Sequence, residues 1–287
     1  MSALVDAAPY AWELSRRSCR VDPATGDSCR WHHGLWPWLR LMNLNTSPER
    51  FAGFYAAAFA RALAGRDSPR ILVSGAADFE MLAQVEAACR RVGAAAELAV
   101  VDLCETPLAL NRWYAERRGL RLATERGDIL DCVADRPFDV VCSDSFLGQF
   151  PVEARERLVA RWASLLKRGG SVITVNRLRP DADAASRVGF SGEQASAFVD
   201  RVRDAASDLP ELIRPSQAEL AFEAARYTQH QGAWPVRSAA ELEALFARAG
   251  FEVVAVQVAP IAGEAPRATA PTLAGGALYA RIEARLR

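Results

Sequence analysis

Carboxylates end or follow two short apolar runs in the middle of this chain. Asp102 closes "AVVD", and Asp144 follows "FDVVCS". A carboxylate can accept two hydroxyl protons at once, and it can also take a proton during a reaction. If the runs are parallel strands, their ends meet at the sheet edge where ligands bind. The spacing therefore predicts a polar binding crevice.

A glycine turn precedes these carboxylates in "ILVSGAADFE", residues 71–80. Gly75 directly follows a strand-like run, where glycine lets a ligand approach the backbone at the start of a helix. The dinucleotide pattern G-x-G-x-x-G requires glycines at 77 and 80 as well, but the chain has Ala77 and Glu80. Asp78 and Glu80 would also bring negative charge towards phosphates. The loop argues against NAD, FAD and ATP and favours a cofactor without phosphates.

Short β-branched runs alternate with helical periods from Arg70 to Val175, which is typical of parallel strands joined by crossover helices. We predict an α/β fold, a Rossmann-like doubly wound sheet of about seven strands with an antiparallel last strand. The last two strands can form a long hairpin across 261–276. The predicted strands are Ile71–Ser74, Ala96–Asp102, Leu120–Ala123, Phe138–Cys142, Ser171–Val175, Phe251–Val258 and Ala277–Ile282.

Helix signals surround these strands. Thr106-Pro107 predicts a cap and first helical position, and the pair Ser216 and Glu219 predicts a capping box, as does the pair Ser238 and Glu241. Between the predicted fourth and fifth strands, a helix is predicted to end before Gly169-Gly170. Further helices are expected near 191–205 and 216–227.

Two blocks extend beyond the regular alternation. We predict an N-terminal lid segment at residues 1–46 and a main domain at 47–287 with a helical insertion at about 180–235. Crossovers leave a parallel strand at its carboxyl end, so both blocks should lie over the ligand edge. The segment "WHHGLWPWLRL" either covers the crevice or fixes an N-terminal arm to the body through its tryptophans. The sequence leaves both interpretations open.

The six cysteines follow no disulfide framework, and we expect them to be reduced. Cys19, Cys29, His32 and His33 form a Cys-x9-Cys-x2-His-His pattern, which matches no common zinc-binding spacing. We therefore expect no metal site there.

Composition narrows the range of partners. Thirty-five basic residues balance thirty-five acidic ones, so no overall positive field attracts a nucleic acid. No apolar run approaches the roughly 20 residues of a membrane span, and the first residues lack the pattern of a secretory signal. We expect a cytoplasmic protein that acts on a small or neutral molecule, without nucleic-acid or membrane partners. The oligomeric state is open.

Taken in order, these motifs over residues 70–175 resemble the class I S-adenosylmethionine-dependent methyltransferase family. The resemblance implies that Gly75 begins the cofactor loop, that Asp102 binds the ribose hydroxyls and that Asp128 contacts the adenine amino group. Val73 and Ala77 depart from the family pattern, which has an acidic residue and a second glycine there. The implied cofactor is S-adenosylmethionine, and the predicted cofactor-binding residues are Gly75, Ala76, Ala77, Asp102, Leu103, Asp128, Ile129 and Ser143.

Methyl transfer from a sulfonium is an in-line displacement, so the protein mainly positions the nucleophile and excludes water. We predict catalytic roles for Asp144, His230 and Tyr227, because a base near the ligand edge can take a proton from an amine or hydroxyl. The predicted substrate contacts are Trp36, His33, Phe146 and Gln149. Three alternatives remain open: intramolecular cyclisation of the cofactor, a non-catalytic partner protein with this fold, and a nicotinamide dehydrogenase.

Overall fold

Seven strands form one sheet in the described part of the chain. The computed structural model describes residues 3–23, 25–209, 215–261 and 277–287. The strands are β1 Arg70–Ser74, β2 Glu97–Asp102, β3 Leu122–Arg126, β4 Phe138–Asp144, β5 Leu166–Leu178, β6 Phe251–Pro260 and β7 Leu278–Leu286. Their order is β3-β2-β1-β4-β5-β7-β6. The strand order switches between β1 and β4: the first three strands are added towards one edge of the sheet, and β4 and β5 towards the other. This switch point is where doubly wound folds form the crevice that binds ligands.

The predicted sheet is confirmed, including its antiparallel last strand. β1 pairs in parallel with both β2 and β4, whereas β7 runs antiparallel between β5 and β6. Residues 262–276 of the predicted hairpin connection lie outside the described residues.

The bounds of the observed strands differ from the predicted ones by a few residues, and two of the starts have a clear cause. The third strand begins at Leu122 rather than Leu120, because Leu120 still bonds back to the end of the preceding helix. The fifth strand begins at Leu166 and continues through Gly169-Gly170. Gly169 adopts a φ of +74°, and the pairing between β4 and β5 shifts register between Phe138 and Val140. The preceding helix ends at Leu165, before the glycine pair as predicted, and the pair lies in an irregular stretch of the strand.

Helices cover both faces of the sheet and its ligand edge. They are α1 Ala3–Ser18, α2 Arg30–His33, α3 Trp36–Leu41, α4 Ala52–Ala62, α5 Glu80–Val92, α6 Glu105–Arg118, α7 Val152–Leu165, α8 Gly192–Ser207, α9 Gln217–His230 and α10 Ala239–Arg248, with short 3₁₀ turns at Pro48–Phe51 and Leu147–Gln149. In the described residues, no helix combines the length and apolar character needed to cross a bilayer.

The helix starts agree only in part with the sequence signals. Ser216 forms the full capping box with Glu219. At Ser238 the hydroxyl accepts from the backbone of Glu241, but the Glu241 carboxylate accepts from Arg237 N (2.9 Å). The box predicted there is therefore half formed. The helix expected to begin at Pro107 starts at Glu105, so Thr106 is not its cap and is fully buried.

The N-terminal segment and the insertion share a hydrophobic cluster over the ligand edge. Trp38 and Leu39 of α3 are fully buried and pack with Phe198 of α8 and Leu220 of α9. Ala7 of α1 instead joins the cluster on one face of the sheet. These contacts position α3 at the ligand edge, whereas part of α1 packs on the sheet. The boundary after residue 46 stays a prediction.

Candidate active site

A cavity of about 540 Å³ opens at the carboxyl ends of the parallel strands. Its wall combines the loop after β1, the ends of β2 and β5, the loops after β3 and β4, the N-terminal segment and α9. All predicted site residues except Ser143 and His230 line it. These are Trp36, His33, Gly75, Ala76, Ala77, Asp102, Leu103, Asp128, Ile129, Asp144, Phe146, Gln149 and Tyr227.

Asp102 is fixed against the glycine loop. Its Oδ2 accepts from the backbone N of Ala76 (2.9 Å) and its Oδ1 from that of Cys104 (2.8 Å). Burial raises the pKa of Asp102, although the charge of His33 and these two hydrogen bonds oppose the shift. Each carboxylate oxygen has a second lone pair, so the group can still accept hydrogen bonds from a ligand.

Gly75 permits the tight turn beside this carboxylate. Its φ is +74°, and an added Cβ would lie 2.4 Å from Cε2 of the Phe146 ring. Both the backbone conformation and the close ring therefore require glycine. The Phe146 ring therefore lies directly against the loop.

Asp128 lies across from Asp102 on the neighbouring strand connection. Gly127 N donates to the carbonyl of Asp102 (3.0 Å), and Asp128 Oδ1 accepts from Leu130 N (2.9 Å). The cavity wall beside them includes the exposed side chain of Leu103. This half of the cavity thus offers two carboxylates and apolar surface.

Asp144 ends β4 in the other half of the cavity. Tyr55 Oη donates to its Oδ1 (2.8 Å), and burial raises the pKa of Asp144 to about 7 despite this hydrogen bond. The next residue, Ser145, has a φ of +51°, a conformation that non-glycine residues rarely adopt outside functional or turn positions. A carboxyl group with this pKa can exchange a proton near neutral pH.

Two arginines at the end of β5 also line the cavity, although neither is among the site residues predicted from the sequence. Arg177 and Arg179 are two positions apart in an extended segment, so both side chains point to the same side. Burial lowers the pKa of Arg177, and it lowers that of Arg179 to about 10 with a further contribution from Arg177. Both remain cationic at neutral pH. The signal was present in "VNRLR", but the predicted strand ended at Val175.

Ser143 and His230 do not line the cavity. Ser143 is fully buried, and its hydroxyl lies 3.0 Å from that of Thr174. His230 is the last residue of α9, where its ring stacks on Trp31 with 5.4 Å between centroids. The histidines that line the cavity are His32 and His33.

Tyr227 does lie in the cavity wall. It is buried, and burial raises the pKa of its hydroxyl well above the ordinary range. Its ring stacks on Phe198 with 5.4 Å between centroids. The hydroxyl therefore stays protonated at neutral pH and can act as a hydrogen-bond donor.

Arg40 of α3 neutralises the acidic residues of the glycine loop. Its Nη1 lies 2.7 Å from Asp78 Oδ2, its Nη2 lies 2.5 Å from Glu80 Oε2, and all three side chains are nearly fully buried. Both carboxylates thus pair with the N-terminal segment; Asp78 also lines the cavity, as expected, whereas Glu80 does not. The two carboxylates outweigh the effect of burial and raise the pKa of Arg40.

A second group of side chains meets where the N-terminal segment approaches the end of β2. The ligand atoms of Cys19, Cys29, His33 and Cys104 lie within 4.8 Å of one another. Hydrogen bonds from Cys19 and Cys29 lower the pKa of the Cys104 thiol. All six cysteines of the chain are free.

Comparisons with known proteins agree with this architecture. Residues 83–170 match the family model described as a methyltransferase domain. This segment is therefore similar to a methyltransferase domain, and the chain as a whole has the fold of S-adenosylmethionine-dependent methyltransferases. No curated protein matches it by sequence.

Solved methyltransferases share the fold at low sequence identity. An S-adenosylmethionine-dependent methyltransferase from Clostridium acetobutylicum aligns with a TM-score of 0.52 and 9% identity, over 87% of this chain and 96% of that one. Magnesium protoporphyrin IX methyltransferase from Synechocystis, solved with S-adenosylhomocysteine, aligns with a TM-score of 0.50 and 11% identity, over 90% and 96%. The S-adenosylmethionine-dependent methyltransferase SibL aligns with a TM-score of 0.49 and 16% identity. This alignment covers 88% of this chain and 57% of SibL.

Proposed function

We propose that the protein binds S-adenosylmethionine in this cavity and transfers its methyl group to a small molecule that carries an acidic group. The observation that carries the cofactor assignment is the pair Asp102 and Asp128 beside Gly75. Asp102 is held by two backbone donors and retains acceptor capacity for the hydroxyls of a ribose. The Synechocystis methyltransferase has been solved with S-adenosylmethionine bound, which supports the same cofactor here.

The arrangement of charge suggests which half takes each ligand. Carboxylates and apolar side chains over β2 and β3 suit an uncharged nucleoside, whereas a phosphate would meet negative charge. The cofactor's sulfonium, when bound, supplies an electrophilic methyl group. Because the carboxylate pair occupies one side of the switch point between β1 and β4, the acceptor half is the side over β4 and β5.

The acceptor half is cationic. Arg177 and Arg179 are desolvated neighbours, and the buried Nε of Arg179 has no hydrogen-bond partner among the described residues. The buried Oδ1 of Asn176 in the same wall also lacks a partner within the described ranges. Guanidinium groups bind carboxylates through charge-assisted hydrogen bonds. An acceptor with a carboxylate and a nearby nucleophilic oxygen or nitrogen fits this wall.

Asp144 is the base that this arrangement supports. It lies in the acceptor half, Tyr55 fixes its orientation, and its raised pKa of about 7 suits proton removal near neutrality. Tyr227 contributes a protonated hydroxyl that can orient the acceptor.

Titration calorimetry tests the cofactor assignment. The parent, Asp102→Ala and Asp131→Ala are titrated with S-adenosylmethionine, S-adenosylhomocysteine and NAD. Loss of hydrogen bonds to a charged group costs about 1.5–3 kcal/mol, so the affinity of Asp102→Ala should fall about 10- to 100-fold. Asp131 is exposed in the turn that follows Asp128 and serves as the control. A parent that binds only NAD, or an Asp102→Ala variant that binds as well as the parent, would overturn the assignment.

Mass spectrometry tests the reaction. The holoprotein is incubated with S-adenosylmethionine alone and with carboxylate-bearing amines, phenols and hydroxy acids. We expect S-adenosylhomocysteine together with an acceptor that gains one methyl group in place of hydrogen. Consumption of the cofactor without an acceptor would indicate cyclisation, and binding without consumption would indicate a non-catalytic protein.

A further inference from the structure

Three thiols and one imidazole converge between the N-terminal segment and the end of β2. The sulfurs of Cys29 and Cys104 lie 3.5 Å apart, and Cys19 Sγ lies 4.0 Å from His33 Nδ1. All four ligand atoms lie within 4.8 Å of one another. Zinc bonds of about 2.0–2.3 Å in a tetrahedron place ligand atoms about 3.5–3.8 Å apart. The observed separations are close to those of a tetrahedral set.

The backbone builds this arrangement from three separate elements. An antiparallel bridge between Val21 and Ser28 closes a small hairpin, and Cys29 N donates to Arg20 O (3.0 Å). The hairpin therefore brings the residues before and after it, Cys19 and Cys29, together.

The remaining two ligands come from the end of α2 and from the residue before α6. Cys29 precedes α2, and His33 lies four residues later, which places both side chains on one face of this helical turn. Cys104 precedes α6, and its backbone is held by Asp102. Cys104 thus lies 71 residues after His33 in the sequence, so no short sequence pattern includes all four ligands.

We propose that Cys19, Cys29, His33 and Cys104 bind one zinc ion that anchors the N-terminal segment beside the cofactor half of the cavity. Three thiolates and an imidazole are a common ligand set of structural zinc sites, and four protein ligands leave no open position for a substrate. The hydroxyl of Thr106, 3.2 Å from Cys19 Sγ, provides an outer-shell hydrogen bond.

A disulfide explains the cluster less completely. A bond between Cys29 and Cys104 would leave the Cys19 thiol and the His33 ring directed at the same point. Zinc uses all four groups. The proposal concerns metal content and does not depend on the proposed methyl transfer.

The experiment measures zinc in the full chain. The protein is purified under reducing conditions without chelator, and zinc is quantified by mass spectrometry and by release to a chromogenic chelator. We expect about one zinc ion per chain. Replacement of zinc by Co²⁺ should give the absorption bands of a tetrahedral thiolate complex. The variants are Cys19→Ser, Cys104→Ser and Cys19→His, with Cys89→Ala and Cys132→Ala as matched controls that change cysteines outside the cluster.

The expected pattern separates loss of metal from loss of fold. Cys19→Ser and Cys104→Ser should bind zinc at least about 100-fold more weakly, whereas Cys19→His should keep it, because a Cys₂His₂ set also binds zinc. The two control variants should hold the same zinc as the parent. Less than about a tenth of a zinc ion per parent chain after reconstitution would overturn the proposal. So would equal zinc in Cys19→Ser and the parent, or a Cys29–Cys104 disulfide in peptides from anaerobically prepared protein.

Discussion

The state of a single carboxyl group decides the expected pH dependence of this site. Asp144 is protonated below about pH 7, because burial raises its pKa to about 7. If its ionised form accepts the proton of the acceptor, kcat should rise from pH 6 to pH 8. Asp144→Asn should lower kcat about 100-fold or more and leave a flat profile over this range. Stopped assays with product quantification across pH 6–9 check both statements.

The same group should also affect stability in the opposite sense. The folded carboxyl has a higher pKa than an unfolded aspartate, which titrates near 3.9. The folded state therefore binds more protons between about pH 4 and pH 7, and stability falls as pH rises through this range. Asp144→Asn should remove this fall without changing the fold. A parent whose stability relative to the variant is constant from pH 5 to pH 8 contradicts the raised pKa.

Arg179 provides the residue-scale test of the acceptor. Arg179→Gln removes a desolvated cation, so KM for a carboxylate acceptor should rise about tenfold or more, while kcat and cofactor affinity change little. Arg237→Gln is the control, since Arg237 is an exposed arginine in the same part of the chain that does not line the cavity. An Arg179→Gln variant that loses cofactor affinity instead would mean that this arginine binds the cofactor.

The position of a residue at the end of a predicted strand could be read from the sequence. Alternation and chain direction place Asp102 and Asp144 in the cavity wall, where the structure has them. His230 lies outside the wall, because α9 runs three residues beyond the predicted end at Tyr227 and turns this ring towards Trp31, and its catalytic role stays a prediction. The place of Cys104 could not be read, because its neighbours in the cysteine cluster are distant in sequence. Tertiary contacts of this kind leave no periodic signal.

At the scale of elements, α3 and the loop after β1 are joined by a buried ion-pair network. Arg40→Met would leave Asp78 and Glu80 buried without their cation, and breaking such a pair costs about 3–5 kcal/mol. Arg16→Met breaks a pair with Glu219 whose side chains are 44% and 46% exposed, which should cost less than about 1 kcal/mol. Urea unfolding of both variants measures the difference.

A second variant distinguishes the network from a general packing defect. Arg40→Met combined with Asp78→Asn and Glu80→Gln removes the uncompensated charge, so it should regain much of the lost stability. Equal instability in the single and combined variants would show that packing of the Arg40 stem, and not charge, holds these elements together.

The order of elements was readable because each strand has its own apolar run and each crossover its own cap or glycine. The first and last residues of each strand were harder to predict from the sequence. β5 extends to Leu178 because it pairs with β7 from Ser171 onwards, ending at the pair Leu178 and Leu278. Pairing with a strand this far away in the chain leaves no recognisable pattern in the local sequence. Arg177 and Arg179 were therefore left out of the predicted site.

At the scale of the whole molecule, the zero net charge of the chain does not predict the local charges in the cavity. Thirty-five basic and thirty-five acidic residues sum to zero, which bears on non-specific attraction to nucleic acid. Within the cavity, Asp102 and Asp128 line one half, while Arg177 and Arg179 line the other. The expected partner is small, and the local cations favour an acidic one.

The whole-molecule prediction concerns removal of residues 1–46. A separate lid could be deleted without loss of the fold, but Ala7 and Ala11 of α1 are fully buried in the cluster on the sheet, and Leu35 and Trp38 are fully buried against the insertion. Deletion would expose these apolar faces and leave Asp78 and Glu80 without Arg40. We expect a chain that lacks a cooperative thermal transition and binds an apolar dye. A truncated protein with a cooperative transition and parental cofactor affinity would instead show that residues 47–287 fold and bind independently.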